Sequence, residues 1–290
     1  MLKNKKIKQF SLIVTYAITT LFSVACSPIK TLNALIPENG YELRSGVAYG
    51  DLSRQKMDIY LPRDNAQIKR KVVVFFYGGS WDSGARGDYK FVAEALTSNG
   101  FIVVIPDYRL YPEVKFPGFM ADPAKAAAWV KGHAAEFGGD ARHIFLAGHS
   151  AGAHIAVMLS VNSEYLAREN LKCTDFAGTI GLAGPYDFLP LRTQHLKDIF
   201  GPESERWKSQ PIEFVTGQNT PILLLVGLKD NTVATYNTFN LATKIKSKDG
   251  PVEVVEFPTF GHVDMAARLA KPLRGNGELL KPIVDFINMY

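Results

Sequence analysis

A serine between two glycines, in Gly148-His149-Ser150-Ala151-Gly152, is the feature of this sequence with the clearest chemical meaning. The Gly-x-Ser-x-Gly pattern permits a sharp turn that strains the serine backbone and exposes the hydroxyl. Its glycines leave room for a strand and a helix to approach each other closely. The pattern therefore predicts that Ser150 is a nucleophile.

A serine nucleophile needs a base that takes its proton, and a carboxylate that orients the base. Asp230 and His262 each follow a predicted strand and come after Ser150 in the order serine, acid, histidine that this kind of turn uses. Asp187 is the alternative acid, and His195 is the alternative base. The sequence favours Ser150, Asp230 and His262 as a catalytic triad.

Acyl transfer also needs N–H groups that stabilise the negative oxygen of the tetrahedral intermediate. The amide of Ala151, directly after the nucleophile, is one expected donor. The loop Tyr77-Gly-Gly-Ser-Trp81 follows a buried strand, and its glycines let the backbone approach a substrate closely. We expect this loop to supply the second donor.

The elements that must position these residues alternate between strand and helix. Short apolar runs predict strands, and longer amphipathic or Ala-rich runs that end at glycine predict helices. This alternation is typical of a mostly parallel sheet covered by helices on both faces. The predicted strands span 56–61, 72–77, 101–105, 143–147, 179–182, 222–226 and 252–257, and the predicted helices span 89–99, 122–137, 151–163 and 277–288.

Composition excludes several classes of protein. The chain has 290 residues, of which 47% are hydrophobic and 21% charged, as expected for a globular domain of generous size. Two cysteines are too few for a disulfide framework or a Cys-rich zinc module. The net charge of +5 comes mostly from four lysines in the first eight residues, so we expect no nucleic-acid partner. No metal or nucleotide motif is present, and no cofactor is expected.

The N-terminus has the layout of an export signal. After the basic start, an uncharged apolar run begins at Phe10 and ends in small residues at Cys26. A basic start, an apolar stretch and small residues before a cut are typical of a secretory signal peptide. A permanent anchoring helix is the alternative, because the uncharged run is just long enough to span a bilayer.

The cysteine at the end of this run refines the prediction. Phe-Ser-Val-Ala-Cys26 resembles a bacterial lipobox, in which the cysteine becomes lipidated, although Ser23 stands where leucine is usual. Ser23-Val-Ala25 also fits the small-x-small site of ordinary signal peptidase. Because Ser27 is not Asp, the lipobox resemblance implies the outer membrane. We expect an exported protein, lipid-anchored through Cys26 or else periplasmic or secreted.

Two further motifs resemble a known family. Gly78-Gly79-Ser80-Trp81 matches the last four positions of a His-Gly-Gly-x-Trp motif, with Tyr77 in place of the histidine. Asp107-Tyr-Arg-Leu110, followed by Pro112 and Phe116-Pro117, is similar to a second block of the same family, in which we expect Arg109 to be structural. These residues resemble α/β-hydrolase esterases, in the branch of hormone-sensitive-lipase-like carboxylesterases, arylformamidases and prenylcysteine methylesterases.

The resemblance covers about residues 41 to 290 and implies the α/β-hydrolase fold. That fold has a mostly parallel, eight-stranded sheet flanked by helices, here with a small cap insertion over about 186–220. By resemblance, Gly79 and Ser80 join Ala151 as oxyanion donors. Residues 1–25 are then a signal peptide, 26–40 a tether and 41–290 the hydrolase domain.

The function implied is a serine carboxylesterase that hydrolyses short-chain acyl esters of small molecules. A short cap favours an open site and small acyl groups. An arylformamidase-like amidase with the same triad and a non-catalytic cell-surface binding protein are the alternatives. The candidate pocket walls are Phe116, Phe119, Tyr186 and Phe188, and a plain core position is the equal alternative for each.

Overall fold

The computed structural model describes residues 28–64 and 68–290. The chain divides into two compact units, residues 1–35 and 36–290. In the first unit, the described residues form a helix, α1 (Pro28–Ala34), within the predicted tether. The predicted signal peptide and Cys26 lie outside the described residues. No helix in 28–64 or 68–290 combines the length and apolar sequence needed to cross a bilayer.

The second unit is built on an eight-stranded sheet in the order β1-β2-β4-β3-β5-β6-β7-β8. β1 pairs with β2 and β2 with β4 in antiparallel fashion, and all other neighbours are parallel. This confirms the predicted fold class. The strands are β1 (Tyr41–Ala48), β2 (Lys56–Pro62), β3 (Arg70–Phe76), β4 (Ile102–Pro106), β5 (Gly139–His149), β6 (Gly178–Leu182), β7 (Ile222–Gly227) and β8 (Val252–Phe257).

The apolar sequence of the central strands follows from their position. β3 lies between β4 and β5, and its residues from Val72 to Phe76 are at most 1% exposed. A parallel strand with helices on both faces has no solvent side, so its sequence is apolar at every position. β8, at the edge, instead carries the exposed residues Glu253 and Glu256.

Helices cover the sheet, and the helix that follows Ser150 is buried along nearly its whole length. The sequence pattern did not predict the helix α7 (Tyr236–Lys246), which is rich in Asn, Thr and Lys. Its apolar residues Leu241, Ala242 and Ile245 nevertheless pack in one core cluster with Ile222 and Leu224 of β7. The helices after α1 are α2 (Lys90–Thr97), α3 (Ala121–His133), α4 (Ala151–Val161), α5 (Ser163–Ala167), α6 (Gln194–Phe200), α7 (Tyr236–Lys246), α8 (Asp264–Ala267) and α9 (Leu280–Met289).

The segment between β6 and β7, where the sequence suggests a cap, consists of short helices. It holds α6 and two 3-10 helices, Glu203–Ser209 and Pro211–Phe214. Phe200 of α6 packs edge-to-face on Trp81, with ring centroids 4.8 Å apart. The segment therefore covers the loop that follows β3, on the side of the sheet where the strands end.

Candidate active site

Ser150 occupies the turn between β5 and α4. Its backbone has φ 56° and ψ −122°, a conformation that residues with a side chain rarely adopt. A Cβ on Gly148 would lie 2.3 Å from the Gly152 carbonyl, and a Cβ on Gly152 would lie 1.9 Å from the Phe76 carbonyl oxygen. The Ser150 amide donates to the Leu182 carbonyl at 2.9 Å, which ties the turn to β6. The turn thus has the strained geometry that the sequence predicts.

Asp230 and His262 come to Ser150 because β7 and β8 end at the same edge of the sheet as β5. His262 Nε2 lies 2.9 Å from Ser150 Oγ, and His262 Nδ1 lies 2.7 Å from Asp230 Oδ2. The Asp230 side chain is 1% exposed and the His262 side chain is 12% exposed. The three predicted residues therefore form one continuous, mostly buried hydrogen-bonded chain.

The surroundings of Asp230 keep its carboxylate ionised and aimed at the histidine. Oδ1 accepts the backbone N–H groups of Thr232 and Val233, each at 2.8 Å. Burial alone would raise the pKa of Asp230, but the hydrogen bonds from His262 and these two amides hold it below its usual value. An ionised Asp230 accepts a hydrogen bond from His262 Nδ1–H, which leaves Nε2 free to accept a hydrogen bond from the Ser150 hydroxyl.

The alternative acid and base form other contacts. Asp187 Oδ2 accepts a hydrogen bond from Asn240 Nδ2 at 2.7 Å. His195, which is about half exposed, pairs through Nε2 with Asp82 Oδ2 at 2.6 Å. Neither side chain takes part in the hydrogen-bonded chain at Ser150.

The loop after β3 forms a tight turn with an unusual backbone. Gly79, Ser80 and Trp81 all have positive φ, at 130°, 51° and 62°. The Gly79 carbonyl accepts the amides of Asp82 and Ser83 at 3.1 and 3.0 Å, which closes the turn. Within the described residues, the amides of Gly79, Ser80 and Ala151 have no hydrogen-bond acceptor.

Tyr77 is the first residue of this loop and stands at the position where the related motif has a histidine. Its hydrogen bonds hold the loop in place. Its hydroxyl accepts a hydrogen bond from Arg54 at 2.7 Å and contacts Asp107 Oδ1 at 3.1 Å. Its carbonyl accepts the Tyr108 hydroxyl at 2.8 Å. Arg86 forms an ion pair with Asp107 and completes the network. These partners lie far apart in sequence, and no local pattern indicates them.

Arg109, in the Asp107-Tyr-Arg-Leu110 motif, forms an ion pair with Asp122. Its guanidinium donates to both oxygens of the fully buried Asp122, at 2.8 and 2.9 Å. Its backbone amide donates to the same carboxylate at 2.8 Å. This ion pair joins the loop after β4 to the start of α3.

A cavity of about 590 Å³ opens at Ser150. Its lining includes Ser80, Ala151 and the apolar side chains of Trp81, Phe188 and Leu196. The cavity therefore brings an apolar wall, the candidate nucleophile and candidate oxyanion donors together.

Of the four predicted wall residues, Phe188 is the one that lines this cavity. The other three do not line it, and Phe119 and Tyr186 match the core alternative. Phe119 and Tyr186 are completely buried, and Phe116 packs on Phe119 at 5.7 Å between ring centroids. Phe119 lies behind Trp81, with ring centroids 6.4 Å apart. Leu196 was not predicted either, because α6 has only 7 residues, too few for a periodicity that reveals which side chains face a cavity.

Within residues 28–64 and 68–290, no group of three or more His, Cys, Asp or Glu side chains is arranged to hold a metal ion. Polar residues that line the cavity include Ser150, Asp230 and Arg192, and His262 contacts Ser150 Oγ. A serine, a histidine and a carboxylate arranged in this way are the groups that nucleophilic acyl transfer uses.

Curated relatives of the chain are named as esterases. An isoprenylcysteine α-carbonyl methylesterase of Arabidopsis thaliana is 29% identical over 269 residues, which cover 85% of this chain and 62% of that protein. Esterase LipC of Mycobacterium tuberculosis is 27% identical over 242 residues, covering 77% of this chain and 60% of that protein. The chain thus spans about three fifths of the length of these relatives.

A similar solved structure supports the fold, and a family model identifies the family. An esterase of Thermogutta terrifontis, solved with butyrate bound, superimposes with a TM-score of 0.71 at 23% identity and covers 87% of this chain and 95% of that one. The family model described as BD-FAE matches residues 57–245, which include Ser150 and Asp230. The chain belongs to the BD-FAE family and has the α/β-hydrolase fold.

Proposed function

We propose that the protein is a serine carboxylesterase that hydrolyses short-chain acyl esters of small molecules. The observation that carries the proposal is the hydrogen-bonded chain from Asp230 through His262 to Ser150, which lies at a cavity with an apolar wall. The esterase names of relatives from a plant and a bacterium support an ester as the substrate.

Acylation follows from the protonation states of these groups. His262 Nε2 takes the hydroxyl proton of Ser150 while Oγ attacks the ester carbonyl carbon, which forms a tetrahedral intermediate. Asp230 accepts the Nδ1–H bond and stabilises the imidazolium. The intermediate collapses when His262 returns the proton to the leaving alkoxide, so that an alcohol departs and the acyl group stays on Ser150.

The negative oxygen of the intermediate needs donors that are already in place. We assign this role to the backbone amides of Gly79, Ser80 and Ala151. Each has no acceptor within the described residues, so no internal hydrogen bond has to break when the oxyanion forms. Removal of one such donor costs about 3 to 4 kcal/mol in other hydrolases.

Deacylation repeats the same steps with water. His262 takes a proton from a water molecule that attacks the acyl carbon, and then gives that proton to Ser150 Oγ as the acid leaves. The net reaction consumes one water and releases one alcohol and one carboxylic acid. No cofactor is needed for this reaction.

The apolar wall of the cavity supports a short acyl group. Trp81 and Phe188 stack at 5.9 Å between ring centroids, and the Trp81 indole is only 4% exposed because Phe200 packs against it. Both rings line the cavity at Ser150. Large aromatic side chains fixed in this way limit the length of the acyl chain, which supports a preference for short acyl groups.

Hydrolysis of p-nitrophenyl acetate by the full chain and by Ser150→Ala tests the proposal. We expect Ser150→Ala to lose at least about 10³-fold in kcat, since the nucleophile is absent. Ser160→Ala is the matched control, because Ser160 is a buried serine on α4, the helix that follows Ser150. The control should stay within about twofold of the wild-type rate.

Substrate preference is measured in the same assay with p-nitrophenyl octanoate and N-formylkynurenine. The proposal predicts that acetate is hydrolysed with a higher kcat/KM than octanoate and that the formamide is the poorest substrate. A preference for N-formylkynurenine would identify an amidase instead. An Ser150→Ala variant that keeps a tenth of the wild-type rate would refute the role of Ser150.

A further inference from the structure

His149, directly before Ser150, is a buried histidine that the proposed reaction does not use. It is 6% exposed, and its ring centroid lies 4.9 Å from that of His262. His149 Nε2 lies 3.1 Å from the backbone carbonyl oxygen of His262. The polar contact of His149 is therefore with the backbone of the loop that carries His262, and not with the imidazole nitrogens of His262.

The other ring nitrogen of His149 connects to the loop after β3. His149 Nδ1 lies 3.2 Å from the hydroxyl oxygen of Tyr89, which is 8% exposed. The same oxygen accepts the backbone N–H of Gly78 at 3.2 Å. Gly78 directly precedes Gly79, so Tyr89 and His149 join the candidate oxyanion loop to the loop of His262.

The contacts determine the direction of each hydrogen bond. The His262 carbonyl can only accept, so His149 Nε2 carries the proton and Nδ1 is the acceptor. The Tyr89 hydroxyl then donates to Nδ1, and its oxygen accepts from Gly78. His149 and Tyr89 thus each donate one hydrogen bond and accept one, between the N–H of Gly78 and the carbonyl of His262.

This chain keeps one protonation state over a wide pH range. Burial, together with the neighbouring His262, lowers the pKa of His149 to about 3. Burial raises the pKa of Tyr89 to about 12. Both side chains are therefore neutral near pH 7, and their hydrogen bonds keep the directions given above.

Packing at Gly78 leaves little room for the chain to shift. A Cβ at Gly78 would lie 3.1 Å from the Tyr89 hydroxyl oxygen and 3.1 Å from Ser150 Cβ. The same Cβ would lie 3.0 Å from the His149 carbonyl oxygen. The start of the oxyanion loop thus rests directly on the nucleophile turn and on Tyr89.

We propose that Tyr89 and His149 are positioning residues that set the oxyanion loop and the His262 loop at a fixed separation across Ser150. The inference rests on the proposed function. The transition state needs the oxyanion donors and the base in place together, and a misplacement of about 1 Å costs about 100-fold in rate. A hydrogen-bonded link between the two loops keeps the oxyanion donors and His262 in a fixed position relative to each other.

The test uses full-length variants and p-nitrophenyl acetate. Tyr89→Phe removes only the hydroxyl, and we expect kcat to fall about tenfold with KM within about twofold, a loss confined to the transition state. Tyr165→Phe is the matched control, a tyrosine of α5 that is 5% exposed and has no contact with the site. The control should keep the wild-type kcat.

Two variants of His149 separate positioning from simple packing. His149→Leu removes both hydrogen bonds, whereas His149→Gln keeps an N–H near the position of Nε2. We expect His149→Gln to recover at least about threefold of the kcat lost in His149→Leu. Adding Tyr89→Phe to His149→Leu should lower kcat no further, because both substitutions break the same chain.

Labelling with a fluorophosphonate distinguishes the two levels of the proposal. A wild-type chain that hydrolyses no ester and takes no label would refute the proposed function together with this inference. A labelled, active wild type whose Tyr89→Phe variant has the kcat of the Tyr165→Phe control would overturn the positioning role alone. So would independent, multiplicative losses in Tyr89→Phe and His149→Leu. Tyr89→Phe is decisive by itself if His149→Leu does not fold.

Discussion

Asp230→Asn replaces one carboxylate oxygen with an NH₂ group, and we expect it to lower kcat by a large factor. In the wild type, Asp230 Oδ1 accepts the amides of Thr232 and Val233, each at 2.8 Å, and Oδ2 accepts His262 Nδ1 at 2.7 Å. Asparagine has one acceptor oxygen, and two backbone N–H groups require it at the Oδ1 position. The NH₂ group therefore faces His262 Nδ1.

This arrangement reverses the histidine tautomer. Because His262 Nδ1 then faces a donor, the ring proton lies on Nε2 and not on Nδ1. Nε2 therefore donates to Ser150 Oγ and cannot take the hydroxyl proton of Ser150. A wrong tautomer in an intact triad costs about 10⁴-fold in kcat in a serine protease, which corresponds to about 5.4 kcal/mol in the barrier. We expect a loss of this size here, with KM within about threefold because the cavity walls do not change.

Steady-state hydrolysis of p-nitrophenyl acetate measures this loss, and Asp187→Asn is the matched control. Asp187 binds Asn240 Nδ2 at 2.7 Å and has no contact with His262, so its variant should keep the wild-type kcat within about twofold. Asp230→Asn with more than a tenth of the wild-type kcat would refute the reasoning. A loss of similar size in Asp187→Asn would show that the acid has been assigned to the wrong residue.

Three other variants test the supports of the site. Gly152→Ala should abolish folding, because its Cβ would lie 1.9 Å from the Phe76 carbonyl oxygen; a wild-type circular dichroism melt would contradict this. Trp81→Ala should shift the kcat/KM ratio of octanoate to acetate esters upward by about tenfold, and an unchanged ratio would exclude Trp81 as an acyl wall. Asp122→Asn should lower unfolding stability at pH 7 by about 2 kcal/mol. Burial opposes the ionisation of Asp122, but hydrogen bonds from Arg109 lower its pKa, so this stability is present above the unfolded pKa of about 3.9 and is lost as pH falls. Denaturant melts from pH 7 to 3 should therefore show a shallower acid loss in Asp122→Asn than in wild type.

The residues at Ser150 were predictable because local rules fix where a chain leaves a parallel sheet. β5, β7 and β8 run parallel, so the residues after their carboxyl ends meet at one edge. A strand, a glycine-bounded serine and a helix specify the turn at Ser150 without knowledge of any distant contact. The order of the later loops then identifies Asp230 and His262.

Contacts between distant segments were not predictable in this way. Tyr77 hydrogen-bonds with Arg54 and Asp107, which are 23 and 30 residues away in the sequence, and no local pattern predicts either contact. His149 reaches a carbonyl 113 residues away. No periodicity records such pairs, because each depends on how the loops fold over the sheet edge.

The edge strand β1 was missed for a different physical reason. Its pairing with β2 is interrupted between Arg44 and Val47, and most of its residues are exposed or half-buried. An edge strand with one short irregularity has neither a continuous apolar run nor a strict alternation. The sequence pattern by itself therefore identified only the other seven strands.

The most direct test of the account is to find where a fluorophosphonate attaches. Full-length protein is labelled, digested and analysed by mass spectrometry, with loss of p-nitrophenyl acetate hydrolysis followed in parallel. The account predicts one adduct per chain, on Ser150, with activity falling in proportion to labelling. An adduct on another residue, or full activity after complete labelling of Ser150, would contradict the claim that Ser150 is the nucleophile.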